Sequence, residues 1–289
     1  MKDKRLYSPK YIRELLDRYG FAFSKQLGQN FLIDGNIVRN IVKKAGINKD
    51  DYVLEIGPGI GTLTEELALH SKKVVAVEID KSLLPILDET LAEYDNVEIV
   101  HGDILKVDIE KLIDERLGGG PVKVVANLPY YVTTPIIAML IEKDLNIDSI
   151  TVMIQKEVAD RVAAEPGTKQ YGSLTVFVNF YCHVETLLSV PKTVFMPRPK
   201  VDSAVIKLDL KKTIDDVDKK LFFKVVRTAF NQRRKTILNS LTSAQLHVDK
   251  EMVKQILEEC NIPLNERAEN LKIEDFIKIS KRLTSLNIY

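Results

Sequence analysis

Two cysteines in 289 residues, Cys182 and Cys260, cannot build a disulfide framework and suit a reducing cytosol. The four histidines, His70, His101, His183 and His247, show no metal-ligand spacing with one another or with the cysteines, so no metal is expected. Long apolar runs are also missing. The most apolar stretch, residues 124–141, is interrupted by Asn127, Pro129 and Thr133-Thr134-Pro135, which argues against a membrane span. The basic start, Met-Lys-Asp-Lys-Arg, is not followed by the apolar core of a signal peptide. No internal repeat or low-complexity tract appears. With 45% hydrophobic and 29% charged residues, the chain is expected to be globular and cytoplasmic, with room for one large and one small domain.

Net charge is only +1, but it is unevenly spread. Residues 1–50 carry 11 basic and 5 acidic side chains, residues 51–120 carry 6 and 16, and residues 121–289 carry 25 and 20. An acidic block between two basic ones suits a protein that grips a polyanion with its flanks; clustered acidic helices would give the same pattern.

Apolar periodicity predicts helix over much of 11–46, broken by the polar segment Lys25-Gln26-Leu27-Gly28-Gln29-Asn30-Phe31-Leu32. Strands are predicted at 52–56, 74–78, 97–100 and 122–126, with helices at 62–70 (opened by a Thr in the cap region) and 82–94. This βα alternation gives an open parallel sheet whose ligands sit at the carboxyl ends of the strands. A helix at 135–141 follows, then strands near 150–154, 174–181 and 203–210. The polar stretch 211–220 marks a domain boundary, and everything beyond it reads as helix. The expectation is an α/β domain over 1–210 and an all-helical domain over 211–289.

Candidate chemistry falls at the strand ends. Glu55-Ile56-Gly57-Pro58-Gly59-Ile60-Gly61 spaces its glycines as G-x-G-x-G, where a dinucleotide loop has G-x-G-x-x-G. The closer third glycine and the preceding acid fit an S-adenosylmethionine loop better than a pyrophosphate loop. Glu78, 21 residues after Gly57, can accept both hydroxyls of a ribose, and Asp103 can accept from an adenine amino group. Each alone could be an exposed acid capping a helix; three hits at successive strand ends make that reading poor. At the fourth strand end stands Asn127-Leu128-Pro129-Tyr130. The amine of adenine is a weak nucleophile because its lone pair is delocalised into the ring. Acceptors at the Asn127 side chain and the Leu128 carbonyl would favour a pyramidal nitrogen, Pro129 would stiffen the turn, and Tyr130 would stack on an extruded base.

Taken with Leu27–Leu32, these motifs resemble the ribosomal RNA adenine N6-dimethyltransferase family, most closely its bacterial small-subunit (16S) branch. The likeness continues through Gln155-Lys156-Glu157-Val158-Ala159, Tyr171-Gly172-Ser173-Leu174, the segment from Phe195 to Ser203, and Phe230-Asn231-Gln232-Arg233-Arg234-Lys235. It implies a Rossmann-like S-adenosylmethionine-dependent methyltransferase sheet with a small C-terminal all-helical domain. It also implies dimethylation of two adjacent adenines of small-subunit ribosomal RNA during ribosome biogenesis. Implied cofactor contacts are Asn30, Leu32, Gly57, Gly59, Glu78, Asp103 and Asn127, and Phe195 would be a second aromatic wall for the target base. The partner would be small-subunit RNA or the assembling subunit, gripped by Arg227, Arg233, Arg234 and Lys235, with Lys2, Lys4, Arg5, Lys10, Arg13 and Arg18 as further basic candidates. Nothing demands more than a monomer. A large-subunit resistance methyltransferase and a non-catalytic assembly factor share parts of the pattern. A dehydrogenase fits poorly because of the Gly61 spacing and the Asn127 motif.

Overall fold

The structure, a computed structural model, describes residues 6–24, 26–211, 216–242, 246 and 248–287; Lys2, Lys4, Arg5 and His247 lie outside them. Among the described residues no helix is long and apolar enough to cross a membrane. The strands are β1 (Phe31–Leu32), β2 (Tyr52–Ile56), β3 (Lys73–Glu78), β4 (Val97–His101), β5 (Val122–Asn127), β6 (Ile147–Gln155), β7 (Cys182–Val190), β8 (Phe195–Met196) and β9 (Ser203–Leu210). The helices are α1 (Pro9–Arg18), α2 (Gly35–Lys44), α3 (Thr62–His70), α4 (Leu84–Thr90), α5 (Ile109–Arg116), α6 (Thr133–Glu142), α7 (Lys156–Val162), α8 (Ser173–Tyr181), α9 (Lys219–Phe230), α10 (Ile237–Leu241), α11 (Lys250–Glu259) and α12 (Ile273–Ser285).

Two compact units emerge: residues 1–159 with 183–210, and residues 160–182 with 211–289. In the first, seven strands run in the order β4-β3-β2-β5-β6-β9-β7. The five from β4 to β6 are parallel and β9 is antiparallel to β6. Central strands read as near-continuous apolar runs because helices cover both faces: Val53, Leu54, Val74, Val75, Val124 and Val125 are all buried. The chain leaves β2 toward β3 and β4 on one side and later fills β5 and β6 on the other. The order therefore reverses between β2 and β5, and their carboxyl ends flank a crevice.

The second unit is built on an aromatic core that includes Phe180, Phe222 and Phe276. It corrects two sequence expectations. Residues 174–181, read as a strand from their β-branched and aromatic content, form helix α8. Val176 and Phe180, four apart, enter this core together, and the Phe180 and Phe222 rings lie 4.6 Å apart; tertiary burial outweighs local β propensity. Because α8 belongs to the helical core, the boundary expected at 210 is incomplete: the first unit lacks 160–182, and the second is discontinuous in sequence. A smaller difference concerns α3. Its cap residue is Gly61 in the left-handed conformation, while the Thr62 hydroxyl donates to the Leu6 carbonyl at 2.9 Å.

Candidate active site

The turn after β2 forms one wall of the crevice. Gly57 has φ +70°, a region that side chains with a Cβ disfavour, and a Cβ there would meet nothing within 4 Å. The open volume beside this backbone is room for a ligand. Gly59 differs: at φ +62° a Cβ would lie 3.0 Å from the Phe31 ring, so the missing side chain lets Phe31 close over the loop. The Gly57 N–H donates to Val77 O at 3.0 Å, fixing the turn against β3.

Two carboxylates face this cleft. Glu78 accepts from the Gly59 N–H at 3.2 Å and from the Asp80 N–H at 2.8 Å. Burial, only partly offset by those backbone donors, pushes its carboxyl up to about 7. Glu55 is fully buried; burial and, less strongly, the neighbouring Glu78 push it up to about 8, and its Oε2 has no hydrogen-bond partner. Among the described residues no cation pairs with either. Such a wall offers acceptors for the hydroxyls of a ribose, and among the described residues the lining holds no Lys or Arg to bind a pyrophosphate. That fits S-adenosylmethionine, which carries a ribose and no phosphate, and counts against a dinucleotide.

Loop 27–32 covers the cleft from the other side. Gln29 donates to Asp80 Oδ2 at 2.6 Å and accepts from the Ser24 N–H at 2.8 Å, and so ties the loop to the end of β3. Asn30, Leu32, Gly57, Gly59, Glu78 and Asn127 all line this one cleft. Asp103 lies in an adjoining pocket that shares Gly57, Ile79 and Pro129 with it. Six of the seven sequence-expected cofactor residues thus line one cleft, and Asp103 lies in the pocket beside it.

At the end of β5 the turn Asn127–Tyr130 is locked in position. Leu128 is buried and its N–H donates to Met153 O of β6 at 3.1 Å. Pro129 O accepts from the Thr133 hydroxyl at 3.1 Å and from the Val132 N–H at 3.2 Å. The Asn127 Nδ2 donates to Asn30 O at 3.1 Å, which assigns the amide orientation and makes Oδ1 the acceptor end. Tyr130 lines the cleft with its hydroxyl 2.7 Å from Ser203 Oγ, and burial holds that phenol above its ordinary pKa, so it stays neutral.

Phe195 lies next to this gathering, behind the cleft-lining Leu32. It pairs with Leu32 across the β1–β8 ribbon and is 4% exposed in the core. The four basic candidates lie in the helical unit: Arg227 on α9, and Arg233, Arg234 and Lys235 in the turn after it, all exposed. Arg233 is engaged within the fold, donating to Lys169 O at 2.9 Å, Tyr171 O at 3.3 Å and Glu269 Oε2 at 3.1 Å. Sequence reasoning assigned no contact to Gln29, Phe31, Glu55 or Tyr131. Glu55 was legible as the acid preceding the glycine turn; the others emerge only when loop 27–32 folds over β3 and β5.

A parallel sheet with a glycine turn at its switch point, buried acids beside it and an Asn-Leu-Pro-Tyr turn across it define a Rossmann-like methyltransferase, whose methyl donor is S-adenosylmethionine. The comparisons agree. The family model described as ribosomal RNA adenine dimethylase matches residues 20–285. A "Ribosomal RNA small subunit methyltransferase A" from Alkaliphilus metalliredigens is 50% identical over 285 residues, covering 97% of this chain and 99% of that one. Among solved structures, a dimethyladenosine transferase from Plasmodium falciparum superposes with TM-score 0.77 at 28% identity, over 89% of this chain and 98% of that one. The 23S rRNA methyltransferase ErmE gives 0.67 at 27%, over 88% and 99%. The chain belongs to the ribosomal RNA adenine dimethylase family.

Proposed function

We propose that this protein transfers methyl groups from S-adenosylmethionine to the N6 amines of two adjacent adenines in small-subunit ribosomal RNA, giving N6,N6-dimethyladenosine during ribosome biogenesis. It would act as a cytoplasmic monomer on the RNA or the assembling subunit. The observation that carries the reading is the Asn127 amide, oriented by its Nδ2 donating to Asn30 O, in a cleft that Leu128, Pro129 and Tyr130 also line. The cofactor supplies an electrophilic methyl on a positively charged sulfur. Asn127 Oδ1 and Leu128 O accept the two N–H bonds of the amine and direct its lone pair, and Tyr130 stacks on the base; positioning and electrostatics supply the catalysis. No dedicated base is required, because the methylated ammonium is strongly acidic and loses its proton to water. The identity with small-subunit enzymes, 50% against 27% for ErmE, supports the small-subunit branch. Arg227, Arg234 and Lys235 of the helical unit would bind RNA phosphates.

The test offers labelled S-adenosylmethionine and three acceptors: unmodified small subunits, naked small-subunit RNA and naked large-subunit RNA, with products digested to nucleosides. Dimethyladenosine from the small-subunit acceptors alone is the expected result. Label in large-subunit RNA would place the activity in the resistance branch. Tight subunit binding without transfer would make the protein an assembly factor.

A further inference from the structure

The segment 195–203 is conspicuous in sequence, yet Phe195 is buried in the core, opposite Leu32. What the segment offers solvent is different. Arg198 and Lys200 are exposed, and Val201 between Lys200 and Asp202 is 45% exposed. Both ends of the loop are anchored. At one end β8 pairs with β1 through Met196 and Phe31. At the other, Asp202 Oδ1 accepts from the Lys192 N–H at 2.9 Å, Asp202 O accepts from the Lys156 N–H at 3.0 Å, and the Lys192 ammonium donates to Lys200 O at 3.3 Å. Pro197 and Pro199 restrict the backbone between these anchors. Ser203, the next residue, is hydrogen-bonded to Tyr130. The loop is thus a stiff rim beside the tyrosine that faces the target base.

Its cations are unspent. Elsewhere in the unit Arg18 sits on Glu89, Lys73 and Arg116 on Glu98, Lys123 on Asp51 and Lys207 on Asp209. Among the described residues Arg198 and Lys200 have no carboxylate partner, and the acid next to them, Asp202, is engaged by backbone. A polyanion is therefore attracted to this rim.

We propose that loop 197–202 is a phosphate-gripping rim, in which Arg198 and Lys200 hold the backbone of the RNA strand whose adenine enters beside Tyr130. This rests on the RNA-methylating reading above. Phosphate contacts fix register without reading sequence, so the loop sets where the strand lies while the turn at Asn127 does the chemistry.

The test compares wild type with Arg198→Ala/Lys200→Ala and the charge-keeping Arg198→Lys/Lys200→Arg, assaying methyl transfer to unmodified small subunits over a range of salt. The neutral double variant should raise KM for the subunit about tenfold, with a much smaller change in kcat. It should also flatten the slope of log(kcat/KM) against log[salt] by about 1.4, from ~0.7 per phosphate contact on single-stranded nucleic acid. The charge-keeping variant should retain most of the wild-type slope. Calorimetric binding of S-adenosylhomocysteine, unchanged in both variants, certifies the fold. Unaltered KM and slope in the neutral variant would overturn the proposal. Absence of RNA methylation by wild type would instead overturn the reading it rests on.

Discussion

Glu55 and Glu78 are buried carboxyls with no cation paired to them among the described residues, pushed up to about 8 and about 7. Between pH 4.5 and 8 the folded, ligand-free protein therefore holds protons that the unfolded chain has already released, and its stability falls as pH rises through that window. A cationic ligand reverses the balance by favouring the ionised acids. S-adenosylmethionine should bind more tightly as pH rises from 6 to 8.5 and should release protons on binding. S-adenosylhomocysteine, lacking the sulfonium charge, should release fewer. Calorimetry in buffers of different ionisation enthalpy reads the proton count directly; no proton release in this range would remove both acids from the binding site. Across the cleft, Asn127→Ala removes an acceptor and the bond that braces Asn30 O. Transfer should fall roughly 10²- to 10³-fold, as when one preorganised polar group is lost from an active site, while RNA affinity holds. The two neighbouring arginines separate in the same way. Arg233→Ala breaks three hydrogen bonds and should lower the melting temperature. Arg234→Ala should leave melting unchanged and weaken RNA binding.

The glycine turn shows how one element can serve both backbone and ligand. Gly57→Ala places a methyl in the open cradle and forces a Cβ to φ +70°, at a backbone cost of about 1–2 kcal/mol. Its effect on S-adenosylmethionine affinity should exceed its effect on stability, whereas Gly59→Ala, which drives a Cβ into Phe31, should disturb loop 27–32 and stability together. Paired melting and binding curves separate the two. The turn, the strands at β2, β3, β4 and β5 and the Asn127 motif were legible in sequence because each is local: an apolar run followed by an unusual glycine or acid. Strands β1 and β8 were not, since two residues each carry no periodicity and only their pairing defines them. Phe195 was placed by motif alone, and motif does not say whether a ring faces the cleft or the core. Helix α8 was misread because its β-branched content resembles a strand until its burial against Phe222 is known.

On the scale of the whole molecule, the chain order and the spatial order disagree. The first unit closes its sheet with β7 and β9, yet between β6 and β7 the chain contributes α8 to the helical unit. Tyr171, whose hydroxyl donates to Leu271 O at 2.8 Å, adds a link between that excursion and the C-terminal helices, and Val176 and Phe180 are core residues there. Truncating the chain after Leu210 would therefore strip α8 of Phe222, Phe276 and their neighbours and leave an apolar face exposed. At about 25 cal/mol per Å² of apolar surface, such a face is a strong drive toward aggregation. The truncated chain should be poorly soluble or associate on size exclusion. Its solubility should recover when residues 211–289 are supplied in trans by co-expression, or when Val176 and Phe180 are replaced by polar residues in the truncated chain alone. The same two replacements in the full chain should unfold the helical unit while S-adenosylmethionine binding by the sheet persists. A truncated chain that stays soluble and monomeric without either change would mean that α8 does not depend on the helices after 211 for its burial.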